Sequence, residues 1–312
     1  WQFLAVIYSL FGVLTVFGTG NATQVNTIVT AIDSALLATG SGLNGILPTL
    51  NLIVGVVVAM MVAMVLLGGV KRIGSVTEKL VPFMALFYIV LALGVVALNY
   101  RRFPAVIASI VGGAFDPQAV TGGAIGSVFL SMQKGVSRGI FSNEAGLGTG
   151  SIAHACADTK KPVKQGMFGI FEVFADTIVI CTCTALAILC SGVNIPWGSV
   201  TGTEVYQSAL ASVFGARTSA VFMAVTICLF AYTSVMGWAV YGSRCAEYIS
   251  GRRGAALYGF LFPCVCLCGC VMSTKGVWQI ADLINALMSL PNLASLLMLA
   301  PVAGKISRKI DT

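Results

Sequence analysis

Residues 46–67 read ILPTLNLIVGVVVAMMVAMVLL, a run with no charged residue. A helix needs about 20 mostly apolar residues to cross the hydrocarbon core of a bilayer, and this run supplies them without interruption. The rest of the chain repeats the pattern. Of its 312 residues, 57% are hydrophobic and only 9% are charged, and the mean hydropathy is +0.94. A water-soluble globule of this size leaves roughly a quarter to a third of its unfolded surface exposed, so it could not hide this much apolar area. A cytoplasmic enzyme, a nucleic-acid binder and a disordered regulator are all excluded. The expected fold class is an all-α polytopic membrane protein, because helices satisfy their backbone groups internally.

Eight stretches are long and apolar enough to be read as spans: residues 2–36, 46–67, 79–99, 118–141, 167–191, 218–243, 254–272 and 277–304. The first and last exceed one bilayer thickness and must tilt, bend or extend into water. Two shorter amphipathic stretches, 103–114 and 202–214, fit helices lying at the interface. The basic residues then sort by side. Lys71, Arg72, Lys79, Lys134, Arg138, Lys160, Lys161, Lys164, Arg244, Arg252, Arg253, Lys305, Arg308 and Lys309 fall on one side, and Arg101, Arg102, Arg217 and Lys275 on the other. This 14 to 4 division places the richer side, and with it the C-terminus, in the cytoplasm. The net charge of +7 is scattered between apolar stretches and forms no nucleic-acid footprint.

Ten cysteines do not imply a disulfide framework. Cys181, Cys183, Cys190, Cys228 and the alternating Cys264, Cys266, Cys268 and Cys270 lie inside apolar stretches, where small residues suit helix packing. Residues at i and i+2 face nearly opposite sides of a helix, so the alternating set makes a poor metal site.

Polar groups inside a membrane are costly and default to function. The first span carries Gly18-Thr-Gly-Asn-Ala-Thr-Gln24-Val-Asn26, read either as a helix-to-helix hydrogen-bond seam or as a ligand contact. Its Asn21-Ala22-Thr23 sequon lies too deep for glycosylation. Gly122, Gly123 and Gly126 in the fourth span suit either an unwound helix whose freed backbone meets a substrate or close small-residue packing. The stretch from Lys134 through Arg138, Asn143 and Glu144 to His154 fits a cytoplasmic gate or an ordered docking loop. Glu172 and Asp176 share a face at i, i+4, and a structural pairing with Lys134, Arg138 or Lys164 is preferred over a cation or proton site. On the sixth span, Thr233 and Ser234 offer hydroxyl oxygens suited to hard cations. Ser234 and Trp238 share a face that could shape a compact pocket. Asp282 and Asn285, one turn apart, are read as tying helices together.

Several of these motifs carry a family resemblance. Arg138-Gly-Ile-Phe-Ser-Asn-Glu-Ala-Gly-Leu-Gly148 followed by Ala153-His154-Ala155 resembles the alanine or glycine:cation symporter family. So do Val173-Phe-Ala-Asp176-Thr177, Cys181-Thr-Cys-Thr-Ala-Leu186, Gly69-Val-Lys-Arg-Ile73, Gly237-Trp238, Val277-Trp-Gln-Ile-Ala-Asp282 and Pro291-Asn-Leu293. The resemblance covers nearly the whole chain. It implies a partial LeuT-type inverted-repeat bundle forming a single transporter domain over 1–312. It also implies sodium- or proton-coupled symport of a small neutral amino acid such as alanine, glycine or serine across the cell membrane. The ion is transported, and no cofactor is expected. The eight spans would match core helices three to ten, so an extra helix and the first two core helices are expected to be missing upstream.

The resemblance also assigns roles. Gln24, Gly122, Gly123, Phe129, Ser234 and Trp238 would line the substrate site, with Thr233 and Ser234 near the cation. Lys134, Arg138, Asn143, Glu144, Glu172 and Asp176 would serve gating or structure. Ser234 stands where the family usually has Thr, and Ser243 where it commonly has Glu. Two alternatives remain beside this reading. One is a non-transporting remnant of such a symporter. The other is a membrane-embedded hydrolase using Ser151, His154 and Glu144, although no nucleophile-elbow or zinc motif accompanies them.

Overall fold

The computed structural model describes residues 2–40, 45–115, 124–144, 146–195 and 203–308. Ten longer helical elements follow one another along them, with a 3₁₀ turn (Tyr100–Arg102) between the third and the fourth. They are α1 (Gln2–Ala38), α2 (Leu47–Leu66), α3 (Gly69–Leu98), α4 (Phe103–Phe115), α5 (Ala124–Asn143), α6 (Thr149–Ala155), α7 (Pro162–Ser191), α8 (Glu204–Phe214), α9 (Ala216–Val271) and α10 (Thr274–Arg308). Six of them, α1, α2, α3, α7, α9 and α10, are long and apolar enough to cross a membrane. The 56 residues of α9 are two helices joined at Gly251, whose φ of 64° breaks the helical path. The sixth and seventh expected spans therefore lie on either side of that residue. Helix α5 is not among the six. Its described part carries Lys134 and Arg138, and the start of the expected 118–141 span lies outside the described residues. The expected interfacial stretches form α4 and α8. The protein is an all-helical, multi-pass membrane protein.

The chain divides into two compact units: residues 1–84, 146–169 and 224–312, and residues 85–145 and 170–223. The core of the first unit gathers Val16, Val25, Ile28 and Val29 of α1, Val58 and Val62 of α2, and Val235, Trp238, Phe262 and Cys266 of α9. Cys266 and Cys270 are buried while Cys264 and Cys268 are exposed, the opposite faces that their alternation dictates.

Helix α1 is held to the second half of α9 by side-chain amides. Asn21, fully buried, donates from Nδ2 to the Phe262 carbonyl at 2.7 Å. Asn26 Nδ2 donates to the carbonyls of Gly269 at 3.1 Å and Met272 at 2.8 Å. Helix α9 stops at Val271, and the last four carbonyls of a helix have no partner within it. Asn26 therefore caps that end. The approach is close because position 269 has no side chain. A Cβ there would strike the Ala22 backbone at 2.6 Å from its carbonyl oxygen.

In the second unit, Tyr88 and Thr184 share a hydroxyl–hydroxyl hydrogen bond of 2.5 Å. Tyr88 also lies against Tyr206, with ring centroids 5.3 Å apart. Arg102 Nη1 donates to the Ser191 carbonyl at 2.8 Å. A cation at a helix C-terminus complements its dipole, and α7 ends at Ser191.

The Asn26 cap yields a stability prediction. Interhelical hydrogen bonds in membrane proteins average only ~0.6 kcal/mol each, but leaving a buried carbonyl unpartnered costs about 1–3 kcal/mol. Asn26→Leu should lower the thermal unfolding midpoint in detergent well beyond Ser34→Ala, which removes an exposed bond within α1. Equal midpoints for the two variants would show that the cap is dispensable.

Candidate functional site

The feature that organises the first unit is a break in the regular winding of α1. Residues Val16–Ala22 form a π-helical turn, a wide i→i+5 pattern that occurs mainly as single turns and often at functional sites. The sequence explains it: Gly18 and Gly20 weaken the helix, and side chains take over backbone bonding. Thr23 Oγ1 donates to the Gly18 carbonyl at 3.0 Å, and Gln24 Nε2 donates to the Thr19 carbonyl at 3.3 Å. Thr19 Oγ1 donates to Asn285 Oδ1 of α10 at 3.1 Å, and Thr15 Oγ1 to the Ile284 carbonyl at 3.2 Å. Asn285 thus ties α10 to α1, as a helix-tying residue should. Asn21, bonded inside the core, is indeed beyond the reach of glycosylation.

Trp238 of α9 covers this break. It is 4% exposed, and its side chain lies so close to Gly20 that a Cβ there would collide with it. Its indole meets the Tyr241 ring edge-on, with centroids 5.6 Å apart. Gln24 lies one turn from Gly20 on α1, and Ser234 one turn from Trp238 on α9. What the structure brings together is Gly20 and Trp238; Gln24 and Ser234 are their neighbours along their own helices. Thr233 faces elsewhere. Its Oγ1 bonds to the Leu229 and Phe230 carbonyls of its own helix at 3.0 and 2.9 Å and contacts Met84 Sδ at 3.5 Å. Its hydroxyl hydrogen is engaged, while its oxygen lone pairs remain the chemistry it could offer a cation.

The other expected residues fall in the second unit. Phe129 of α5 is 63% exposed. Gly122 and Gly123 lie outside the described residues, as does the side chain of Lys134. Arg138 places its guanidinium 6.0 Å from the centroid of the Phe141 ring. At the end of α5, Ser142 Oγ donates to Asp176 Oδ2 at 2.7 Å, and Asn143 Nδ2 donates to Thr177 Oγ1 at 2.6 Å. Asp176 and Thr177 belong to a second π-helical turn, Phe174–Ile180, within α7. That turn begins between Glu172 and Asp176, so the strict i, i+4 stacking read from the sequence is altered. Glu172 is exposed. These adjacent rungs form a polar latch between α5 and α7 that the sequence pattern did not foretell.

The loop after Glu144, which itself adopts φ 53°, docks in the first unit. Asn292 Nδ2 donates to the Gly146 carbonyl at 2.8 Å, and Leu147 is 1% exposed. Ser151 Oγ donates to the Gly148 carbonyl at 2.7 Å. His154 Nδ1 pairs with Gln165 Nε2 at 2.9 Å. The serine proton is directed at a backbone carbonyl and the imidazole at an amide, which is no nucleophile–base pairing. Where Ser243 stands, the neighbouring Arg244 pairs with Glu247 at 2.7 Å.

The family model described as the sodium:alanine symporter family matches residues 1–311. The chain belongs to this family. It is 39% identical to the sodium/alanine symporter AgcS of Methanococcus maripaludis, over 96% of this chain and 63% of that protein. It is 38% identical to an uncharacterized transporter of Haemophilus influenzae, over 96% of this chain and 64% of that protein. It is 35% identical to the amino-acid carrier protein AlsT of Bacillus subtilis, over 98% and 62% respectively. The chain thus spans less than two thirds of the length of these relatives. The family is one of transporters.

A second prediction tests that contact. Gly20→Ala forces one extra methyl against the indole, and overpacking of this kind costs about 1–3 kcal/mol. The variant should lower the unfolding midpoint and shift the emission assigned to Trp238 by difference from Trp238→Phe. An unchanged emission component would show that Gly20 does not position the indole.

Proposed function

We propose that this protein is part or all of a secondary active symporter that couples uptake of a small neutral amino acid to a monovalent cation, sodium or proton. The observation that carries the reading is the π-helical, glycine-containing break in α1 closed by Trp238, in a chain of the sodium:alanine symporter family. Backbone that departs from regular helix within a bilayer is tolerated where protein or a lined cavity satisfies it, and transporters place substrate and ion at such departures.

In this reading Gln24, Ser234 and Trp238 contact the amino acid. Thr233 and Ser234 give hydroxyl oxygens to the cation, a hard ion that favours oxygen ligands. The large indole limits the side chain that fits, which favours alanine, glycine or serine. Ser234 in place of Thr leaves one methyl less in that wall. Cation binding orders the interrupted helices and thereby completes the amino-acid site, and rocking of the helices then opens it inward. The latch of Ser142, Asn143, Asp176 and Thr177, together with Lys134, Arg138, Glu144 and Glu172, holds the inner side closed. The whole chain forms one transporter domain with its C-terminus in the cytoplasm.

Uptake of labelled alanine into proteoliposomes containing the protein, with and without an inward sodium gradient, tests the coupling. A sodium or proton gradient should accelerate uptake, and equal uptake without either gradient would refute it. Trp238→Ala should weaken apparent affinity about thirtyfold or more, since truncating a buried aromatic anchor costs about 2 kcal/mol or more at a binding hot spot. Unchanged affinity and selectivity would remove Trp238 from the site. Orientation is read from the exposed Cys156. A membrane-impermeant maleimide should reach it from the cytoplasmic side only, with Cys156→Ser as the control.

A further inference from the structure

Beyond the Gly20–Trp238 contact, α1 carries a second polar pair that the transport reading does not use. Asn51 of α2 donates from Nδ2 to Asp33 Oδ2 at 3.0 Å. The remaining oxygen of each side chain, Asp33 Oδ1 and Asn51 Oδ1, is shut off from solvent without a hydrogen-bond partner. Asp33 is 13 residues beyond Gly20, about 20 Å along a helix at 1.5 Å per residue, so it is remote from that contact.

Among the described residues, the charge on Asp33 has no counterpart. It is the only charged residue in the α1 and α2 sequences. The charged groups on α10 are Lys275, Asp282, Lys305 and Arg308, and those of α9 within the first unit are Arg244, Glu247, Arg252 and Arg253. Among the described residues none of the cations lies within ion-pair distance of Asp33, and Arg244 pairs with Glu247. The neighbouring hydroxyls are also committed, since Thr30 donates to the Asn26 carbonyl and Ser34 to the Thr30 carbonyl. A carboxylate oxygen removed from water without a partner is costly unless a positive charge arrives to pair with it. An unpartnered amide oxygen beside it adds a second ligand of the kind hard cations take.

We propose that Asp33 and Asn51 form a binding site for a small monovalent cation, held through Asp33 Oδ1 and Asn51 Oδ1. The chemistry is one positive charge received by these two oxygens, and sodium is the small hard ion that such oxygen ligands suit. The bound ion ties α1 to α2, so the stability of that helix pair would follow sodium.

The test measures thermal unfolding midpoints of the purified full chain in detergent while sodium replaces choline at constant ionic strength and pH 8. In the wild type, sodium should raise the midpoint by about 2–4 °C more than in Asp33→Asn, the scale expected from ligand-linked stabilisation of a chain this long. Asp33→Asn is a folding-compatible control, because its carboxamide can make both bonds to Asn51 with no added charge. Asn51→Leu keeps the carboxylate but loses a ligand, and should raise the half-saturating cation concentration about tenfold. A sodium response in Asp33→Asn or in Asn51→Leu that matches the wild type would overturn the proposal. Gradient-driven alanine uptake, measured on the same variants, reports separately on the Trp238 site.

Discussion

Two carboxamides on α1, those of Asn21 and Asn26, set the architecture of the first unit. Asn21 donates to one backbone carbonyl of α9, and Asn26 to one of α9 and one just past its end, both from positions that water does not reach. In a bilayer there is no solvent to take over such bonds, so a helix end or a loosened turn must find its donor within the protein. Asn26 provides one at the end of α9. Once the two helices are fixed by these amides, they run close enough that position 269 admits no side chain. The apolar core of Val25, Val29, Phe262 and Cys266 fills in around the polar contacts. Hydrophobicity alone could not choose this pairing, because lipid tails are as apolar as the helices themselves.

The π-helical turn of α1 follows from the same constraint. Widening the turn disturbs the normal ladder, and Thr23 and Gln24 answer by bonding back to Gly18 and Thr19. The turn then offers a side-chain-free surface at Gly20 against which Trp238 lies. A second π-helical turn, in α7, carries Asp176 and Thr177, which take bonds from Ser142 and Asn143. In both units the departure from regular helix coincides with the polar residues, so irregular backbone and candidate chemistry share their cause.

Much of the helical plan was legible in the sequence. The expected spans at 2–36, 46–67, 79–99, 167–191 and 277–304 correspond to α1, α2, α3, α7 and α10. Residues 103–114 and 202–214 correspond to the short α4 and α8. Span length and charge placement are local properties, and the bilayer rewards them directly. The site was legible only as an inventory. Gln24, Ser234 and Trp238 could be named, because polar or bulky residues stand out in apolar runs. Gly20 could not be picked out as the partner of Trp238, since that contact joins positions far apart in the chain. Likewise, the i, i+4 spacing of Glu172 and Asp176 presumed a regular helix, which the turn at Phe174–Ile180 replaces.

Local composition is enough to specify a helical membrane protein, where most of its helices fall and which residues are too polar to face lipid. Those answers depend on composition within one helix at a time, and the transfer cost of each side chain sets them. Tertiary structure alone decided which carbonyl each buried amide would satisfy, where the winding would widen and which glycine would meet the indole. It also decided that Asp33 would stand beside Asn51 with an oxygen of each left over. Hydrogen bonds are directional and short, so their partners exist only once helices distant in sequence have been brought within about 3 Å of one another.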